Sequence, residues 1–144
     1  MNIYEQLEEE VKIINQQEIL DRKIYVEGLK SKEKRMLEEF DDMGLEYKKG
    51  ERYLLEERIN GRIKLEYQVK LHPQKFTRDK FGKMNGEKEE FYFTRNVIAS
   101  KDGYYISDSD GYIGHHDKPK QFDVFIESLK DVIRRVIKGK IIKQ

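Results

Sequence analysis

The 144-residue chain has no cysteine, and no apolar run approaches the roughly 18–20 residues that span a bilayer. The first absence excludes disulfides, thiolate metal sites and a cysteine nucleophile. The amino terminus also lacks the cationic segment and following apolar segment of a signal peptide. We therefore expect a cytoplasmic protein that does not enter a membrane.

The chain also carries almost no net charge. Charged residues make up 40% of the chain, but the net charge is only +1, and seven Phe and nine Tyr are present. Disordered chains combine low hydrophobicity with high net charge, so this composition favours a folded chain. The length fits one domain, which we predict to cover residues 1–144.

The balance hides an uneven distribution of charge. Residues 1–57 hold 10 Lys and Arg against 16 Asp and Glu, a net charge of −6. Residues 58–144 hold 19 and 12 respectively, a net charge of +7. Opposite poles can steer a charged partner or a second copy of the chain, although a highly charged solvent-exposed surface accounts for them equally well.

Apolar periodicity predicts helices at residues 1–44. One stripe repeats at intervals of four, four and three residues, formed by Ile3, Leu7, Val11 and Ile14. A second helix is predicted over residues 31–43, with Ser31 as its cap and Gly44 at its end. Residues 23–28 fit either a continued helix or a short strand.

An Asn60-Gly61 pair between two alternating runs, 51–59 and 62–71, predicts a two-residue β-hairpin. The implied register places Leu54 on one face with alternate apolar residues of the second run, which are Ile63, Leu65, Tyr67, Val69 and Leu71. It also pairs opposite charges across the strands, Glu57 with Lys64 and Glu51 with Lys70.

The rest of the chain predicts a meander and a final helix. A long loop covers residues 73–88, a strand covers 90–100, and turns at 102–103 and 108–111 close the sheet region 45–114. A wide apolar stripe predicts a helix over 118–138, with Pro119 near its start and Gly139 past its end. The fold class is therefore α+β: N-terminal helices, an antiparallel meander of about four to five strands, and a long C-terminal helix packed on the sheet.

The segments Gly103-Tyr104-Tyr105-Ile106 and Tyr112-Ile113-Gly114 resemble the two half-motifs of the GIY-YIG nucleases. The resemblance implies a metal-dependent DNA nuclease with a catalytic Arg on a following helix and a later metal-binding Glu. Family members carry the motif near the start of the domain, whereas here it lies in the last third. Only Arg134, Arg135 and Glu127 remain for those roles.

Two short segments contain metal-ligand types. Residues 108–113 match part of a calcium loop, but position one would be Ile106 and position twelve Asp117, where the loop needs an oxygen ligand and a Glu. His115, His116 and Asp117 are adjacent, with His72 elsewhere, whereas metal ligands usually converge from spaced positions. A turn and a polar loop explain both segments, so we predict no metal, cofactor or catalytic residue.

Basic and aromatic residues alternate in the long loop, a pattern typical of contacts with phosphates and unpaired bases. The residues are Lys75, Phe76, Arg78, Lys80, Phe81, Lys83 and Lys88. The alternative is a solvated loop whose phenylalanines pack on the core. Further cations lie near the end of the last helix, where they also suit the helix dipole; they are Arg134, Arg135, Lys138, Lys140 and Lys143.

Tyrosines cluster in the second half of the sheet, and alternation places some of them on the face that the last helix does not cover. They are Tyr92, Tyr104, Tyr105 and Tyr112. We predict a non-enzymatic binding protein that contacts a protein partner through this face or through the loop. A nucleic-acid-binding protein using the loop is the first alternative, and a metal-dependent nuclease is the second. A homodimer is also open.

Overall fold

The computed structural model describes residues 2–53, 63, 65–79, 86, 88–107 and 118–143. These residues form two helices and six strands. In chain order they are α1 (Ile3–Asp42), β1 (Tyr47–Lys49), β2 (Leu65–Lys70), β3 (Phe76–Asp79), β4 (Lys88–Phe91), β5 (Thr94–Ser100), β6 (Gly103–Ile106) and α2 (Phe122–Lys143). The predicted α+β class is confirmed.

Helix α1 is a single helix of 40 residues, about 60 Å long at 1.5 Å per residue. The Asn2 side chain accepts a hydrogen bond from the Glu5 amide at 2.9 Å and caps the first turn. Gly44, with φ of 73°, follows the last turn. The helix thus begins and ends at residues that suit a cap and a left-handed stop.

The predicted helix start at Ser31 is wrong. Ser31 lies inside α1, and its hydroxyl donates to the Glu27 carbonyl 3.1 Å away, one turn earlier. A serine inside a helix commonly makes this bond instead of capping. Residues 23–28 are helical, which settles the choice between helix and strand at that segment.

Four strands form an antiparallel sheet in the order β1-β2-β5-β6. The register places Tyr67 opposite Val97, and Val97 opposite Ile106. Side chains alternate between the two faces of a strand, so these three residues share one face. Both helices pack on that face: the Phe40 ring of α1 and the Phe125 ring of α2 lie 6.3 Å apart within the buried core.

The apolar face predicted for residues 63–71 is confirmed. All five of its alternate residues are buried, namely Ile63, Leu65, Tyr67, Val69 and Leu71. The predicted pairing of Glu51 with Lys70 is wrong, because residues 51–52 form a turn and the Lys70 ammonium lies 2.7 Å from Glu46. The Asn60-Gly61 turn, Leu54 and the Glu57–Lys64 pair lie outside the described residues.

The expected loop at residues 73–88 is partly a second sheet. Strand β3 pairs with β4 in antiparallel register, with Phe76 opposite Phe91. Residues 92–93 interrupt the strand expected at 90–100 and separate β4 from β5. Alternation within each short strand is compatible with one longer strand, so the sequence pattern does not reveal the interruption.

The turn between β5 and β6 comes one residue earlier than expected. Ser100 pairs with Gly103, so the loop is formed by residues 101–102. Gly103 has a φ of 145°, and an added Cβ would lie 2.7 Å from the Lys120 carbonyl oxygen. Tyr104 and Lys120 exchange two backbone hydrogen bonds of 2.9 and 2.8 Å, which attach the chain before α2 to β6.

Helix α2 begins at Phe122, four residues after the predicted start at residue 118, and continues beyond Gly139, which was expected to end it. Its Phe125 and Leu129 are completely buried. Phe125 stacks on Tyr104 of β6, with ring centroids 5.3 Å apart. The C-terminal helix therefore packs on the sheet.

Candidate functional site

The predicted basic and aromatic set is described only in part. Lys75 lies just before β3 and is exposed, Phe76 begins β3, and Arg78 belongs to the same strand. Lys80, Phe81, Lys83 and Tyr112 lie outside the described residues. The grouping of this set therefore stays a prediction.

Phe76 is half-buried within an aromatic cluster at the base of the β3–β4 hairpin. Its ring centroid lies 5.3 Å from His72, 6.2 Å from Phe91 and 4.5 Å from Phe93. Phe93 in turn packs against the main core. The ring of Phe76 thus joins the hairpin to the larger sheet, which is the packing role considered as an alternative to base stacking.

Beside this cluster, two lysines approach one tyrosine. The Lys70 and Lys75 ammonium groups lie 4.0 and 5.7 Å from the ring centroid of Tyr92. Lys75 also forms a 3.7 Å ion pair with Glu90. Among the described residues of the β3–β4 hairpin region, basic and aromatic side chains therefore meet around the Tyr92 ring.

Tyr104 and Tyr105 point to opposite faces of β6. Tyr104 is buried, and its hydroxyl donates to the Lys32 carbonyl at 3.3 Å. Burial raises the pKa of the Tyr104 hydroxyl, an effect that the Arg35 charge partly opposes. Tyr105 is half-buried opposite Ile98, on the face that the helices leave uncovered. Tyr104, one of the four tyrosines considered for a contact surface, is therefore a core residue.

The residues suggested for nuclease or metal chemistry are described only in part. Arg134 and Glu127 form an exposed ion pair of 3.6 Å on α2. Residues 108–117 lie outside the described part of the chain. Among the residues that are described, no group of three or more metal-ligating side chains converges.

A carboxylate that the sequence analysis missed connects α1 to the sheet. The Tyr53 and Tyr67 hydroxyls both donate to Glu33 Oε2 at 3.0 Å. Burial, followed by the bond to Glu33, raises the pKa of both tyrosines. The network lies between α1 and β2, so it fixes the orientation of the helix on the sheet.

The first half of α1 extends beyond the core. Between residues 3 and 24 every side chain is exposed except Arg22, which is half-buried, and the first buried residue is Val26. Yet this exposed half of α1 (residues 3–24) carries many large apolar side chains. They are Ile3, Tyr4, Leu7, Val11, Ile13, Ile14, Ile19, Leu20 and Ile24.

A pocket lies beside the turn that follows β1. Its floor is Glu66 of β2, whose side chain is only 1% exposed although it alternates with the core-facing residues Leu65 and Tyr67. Gln68 and Asn96 extend the pocket across β2 and β5, and Lys48 and Arg52 lie beside it. Alternation predicts that Glu66 faces solvent, so only tertiary structure reveals its burial.

No family model matches the chain, and no curated protein or solved structure matches it either. Within the described part of the chain, no helix has the length and apolar character that a membrane span requires.

Proposed function

We propose that this protein is a non-enzymatic binding protein that acts through protein–protein contact, with the exposed half of α1 as the contact surface. The observation that carries the proposal is the set of nine large apolar side chains exposed on residues 3–24. Four of them, Ile3, Leu7, Val11 and Ile14, form one exposed apolar stripe along the helix, and an exposed apolar patch of this kind marks an interaction site. The absence of cysteine supports a cytoplasmic setting.

The energetics of an isolated helix support a partner for this segment. Most helical stability in proteins comes from tertiary packing of an apolar face, and this half of α1 has no buried residue. The exposed half contains no alanine and several β-branched isoleucines, which are weaker helix formers. Contact with a second chain would supply the missing packing.

Charge favours a second copy of the same chain as that partner. Residues 3–24 carry six acidic and three basic side chains. Helix α2 carries the reverse, with six basic and three acidic side chains over residues 122–143. Two of its apolar residues, Val124 and Ile137, are also exposed. A head-to-tail approach of two copies would therefore combine apolar contact with opposite charge.

The test is sedimentation of the full chain over a range of concentrations, with two variants that add the same charge. Leu7 and Gln16 are nine residues apart and so lie on opposite sides of α1 at about 100° per residue. We expect the parent chain to dimerise, Leu7→Lys to weaken the dimer at least about tenfold, and Gln16→Lys to change it little.

Circular dichroism of each variant reports whether α1 keeps its helical content. A parent chain that sediments as a monomer at every concentration would contradict a second copy as partner. An equal loss of dimer in Leu7→Lys and Gln16→Lys would contradict the apolar face as the contact surface.

A nucleic-acid partner for the β3–β4 hairpin is the second candidate function. It is supported by the Lys70 and Lys75 ammonium groups beside the Tyr92 ring. Titration of short single- and double-stranded oligonucleotides at about 50 and 200 mM salt tests it, because phosphate contacts weaken steeply with salt. Absence of binding at the lower salt would remove this candidate.

A further inference from the structure

The charge of α1 changes sign along the helix. Residues 3–21, the acidic segment, carry six acidic side chains and one basic side chain, a net charge of −5. Residues 22–35, the basic segment, carry six basic and two acidic side chains, a net charge of +4. Two copies of such a helix attract each other when they lie antiparallel, because each acidic segment then faces a basic one.

A groove lies where the basic segment meets the start of α2. Three basic residues line it, Lys32 and Arg35 of α1 and Lys120 of the chain before α2, together with Phe122, the first residue of α2. Asp102 of the β5–β6 turn is the one carboxylate among the described residues that line it. This basic groove therefore combines an excess of positive charge with an aromatic ring.

Arg35 is the residue of the basic groove that is best placed to meet a carboxylate. It is exposed, its guanidinium carbon lies 3.9 Å from the centroid of the Phe122 ring, and it forms no ion pair within the described part of the chain. A guanidinium that lies over a ring keeps the N–H groups at its edges for an acidic partner. Lys32 instead donates to the Ser100 and Lys101 carbonyls at 3.0 and 2.8 Å, which attaches the β5–β6 turn to α1.

We propose that the basic groove receives the acidic segment of a second copy, so that the two α1 helices pair antiparallel around a two-fold axis. The inference rests on the proposed dimer and names the surface that meets the exposed half of α1. Each copy supplies one acidic segment and one groove, so both contacts form together and the assembly closes as a dimer. Because the groove includes the first residue of α2, this docking also brings the exposed half of α1 to that helix.

Residue size favours one alignment of the two helices. Positions seven residues apart lie within about 20° of one another around a helix. Leu7 and Ile14 are such a pair in the acidic segment, and Gly28 and Arg35 are another in the basic segment. With Leu7 beside Arg35, Ile14 lies beside Gly28, which has no side chain and has open space around it. A large residue opposite a small one allows close packing. Asp21 then lies at the two-fold axis and is followed directly by two basic residues.

Sedimentation of charge-reversal variants of the full chain tests the pairing. Glu10 is three residues from Leu7, so in this alignment it lies within about one turn of Arg35 in the second copy. We expect Arg35→Glu and Glu10→Arg each to weaken the dimer at least about tenfold, because each substitution is present twice in the assembly. The double variant should recover to within about threefold of the parent, since the reversed charges attract again. A loss of folding in one variant would not be reversed in this way.

Lys34→Glu is the matched control. It makes the same change of charge one residue before Arg35, about 100° away around α1 and outside the lining of the groove. We expect it to weaken the dimer less than about threefold. A parent that dimerises while Arg35→Glu behaves like Lys34→Glu would overturn the pairing and leave the dimer itself in place. The same holds for a double variant that dimerises no better than the single ones. A parent that stays monomeric would contradict both proposals.

The absence of cysteine allows a direct test of orientation, because an introduced cysteine is the only thiol of its chain. Chains carrying Glu10→Cys and chains carrying Arg35→Cys are treated with a short thiol cross-linker, separately and mixed. We expect cross-linked dimers in the mixture alone, since identical positions of the two copies lie more than about 30 Å apart along an antiparallel pair. Efficient cross-linking of Glu10→Cys to itself would indicate a parallel pair and overturn the proposal.

Discussion

At the scale of single residues, the buried polar groups show what alternation can and cannot predict. Leu65, Tyr67 and Val69 are buried as the period of two requires. Glu66 occupies the alternate position and is buried as well, because the turn after β1 covers it. The sequence identifies the core face of β2, but the cover on its other face depends on contacts between distant residues.

The Tyr67 hydroxyl provides a prediction about stability and pH. Burial and the bond to Glu33 raise its pKa in the folded chain. The unfolded chain loses this proton near pH 10, whereas the folded chain retains it to higher pH. The stabilising contribution is therefore complete below about pH 10 and is lost as the pH rises above that value.

We expect Tyr67→Phe to reduce the free energy of unfolding by about 1–3 kcal/mol at pH 8, because one bond to a carboxylate is lost. The difference from the parent should narrow above about pH 10, as the parent alone loses the contribution of Tyr67. Denaturant unfolding across this pH range measures both effects. Tyr4→Phe, at an exposed tyrosine of α1, is the control and should follow the parent at every pH.

At the scale of elements, α2 is predictable and the continuity of α1 is not. Phe125, Ile126 and Leu129 recur at three and four residues, and all three are buried. In α1, residues 3–14 and 31–43 each show their own stripe, while the segment between them is ambiguous in sequence. The helix continues through residues 15–25 without a buried residue, and Val26 and Leu29 are the only buried residues of the segment between the two stripes.

Gly28 of α1 tests whether the helix is continuous, and Gly44, just past its end, provides the comparison. Gly28 lies inside the helix, and a Cβ there would meet nothing within 4 Å. Gly28→Ala should therefore raise the free energy of unfolding by about 0.5–1 kcal/mol, because alanine restricts the unfolded chain and fits the helix. Thermal or denaturant unfolding measures the change.

Gly44→Ala is the matched control. Gly44 also has open space around it, but its φ of 73° is strained for alanine. This substitution should lower the free energy of unfolding by about 1 kcal/mol. A loss of stability in Gly28→Ala as well would indicate that the helix is interrupted near residue 28, in disagreement with the structure.

At the scale of the whole molecule, the acidic and basic parts of the sequence lie on different helices. The acidic residues 3–24 belong to a helix half that leaves the core, and many of the basic residues belong to α2. Composition predicts the two poles, but it cannot predict that one of them lies on a helix half without buried residues. The position of this pole depends on where α1 first packs on the core, and its first buried residue is Val26.

The proposed dimer should therefore respond to salt in a specific way. Screening between exposed charges shortens from about 10 Å at 0.1 M to about 3 Å at 1 M ionic strength. If the apolar stripe supplies most of the affinity and the charges orient the two copies, the dimer should weaken several-fold with salt but persist.

Reversal of Glu8, Glu9 and Glu10 to lysine changes three exposed charges in the same helix half. We expect this variant to dimerise weakly at low salt and to lose the salt dependence of the parent, as measured by sedimentation. An identical salt response in both proteins would show that the acidic pole takes no part in the contact.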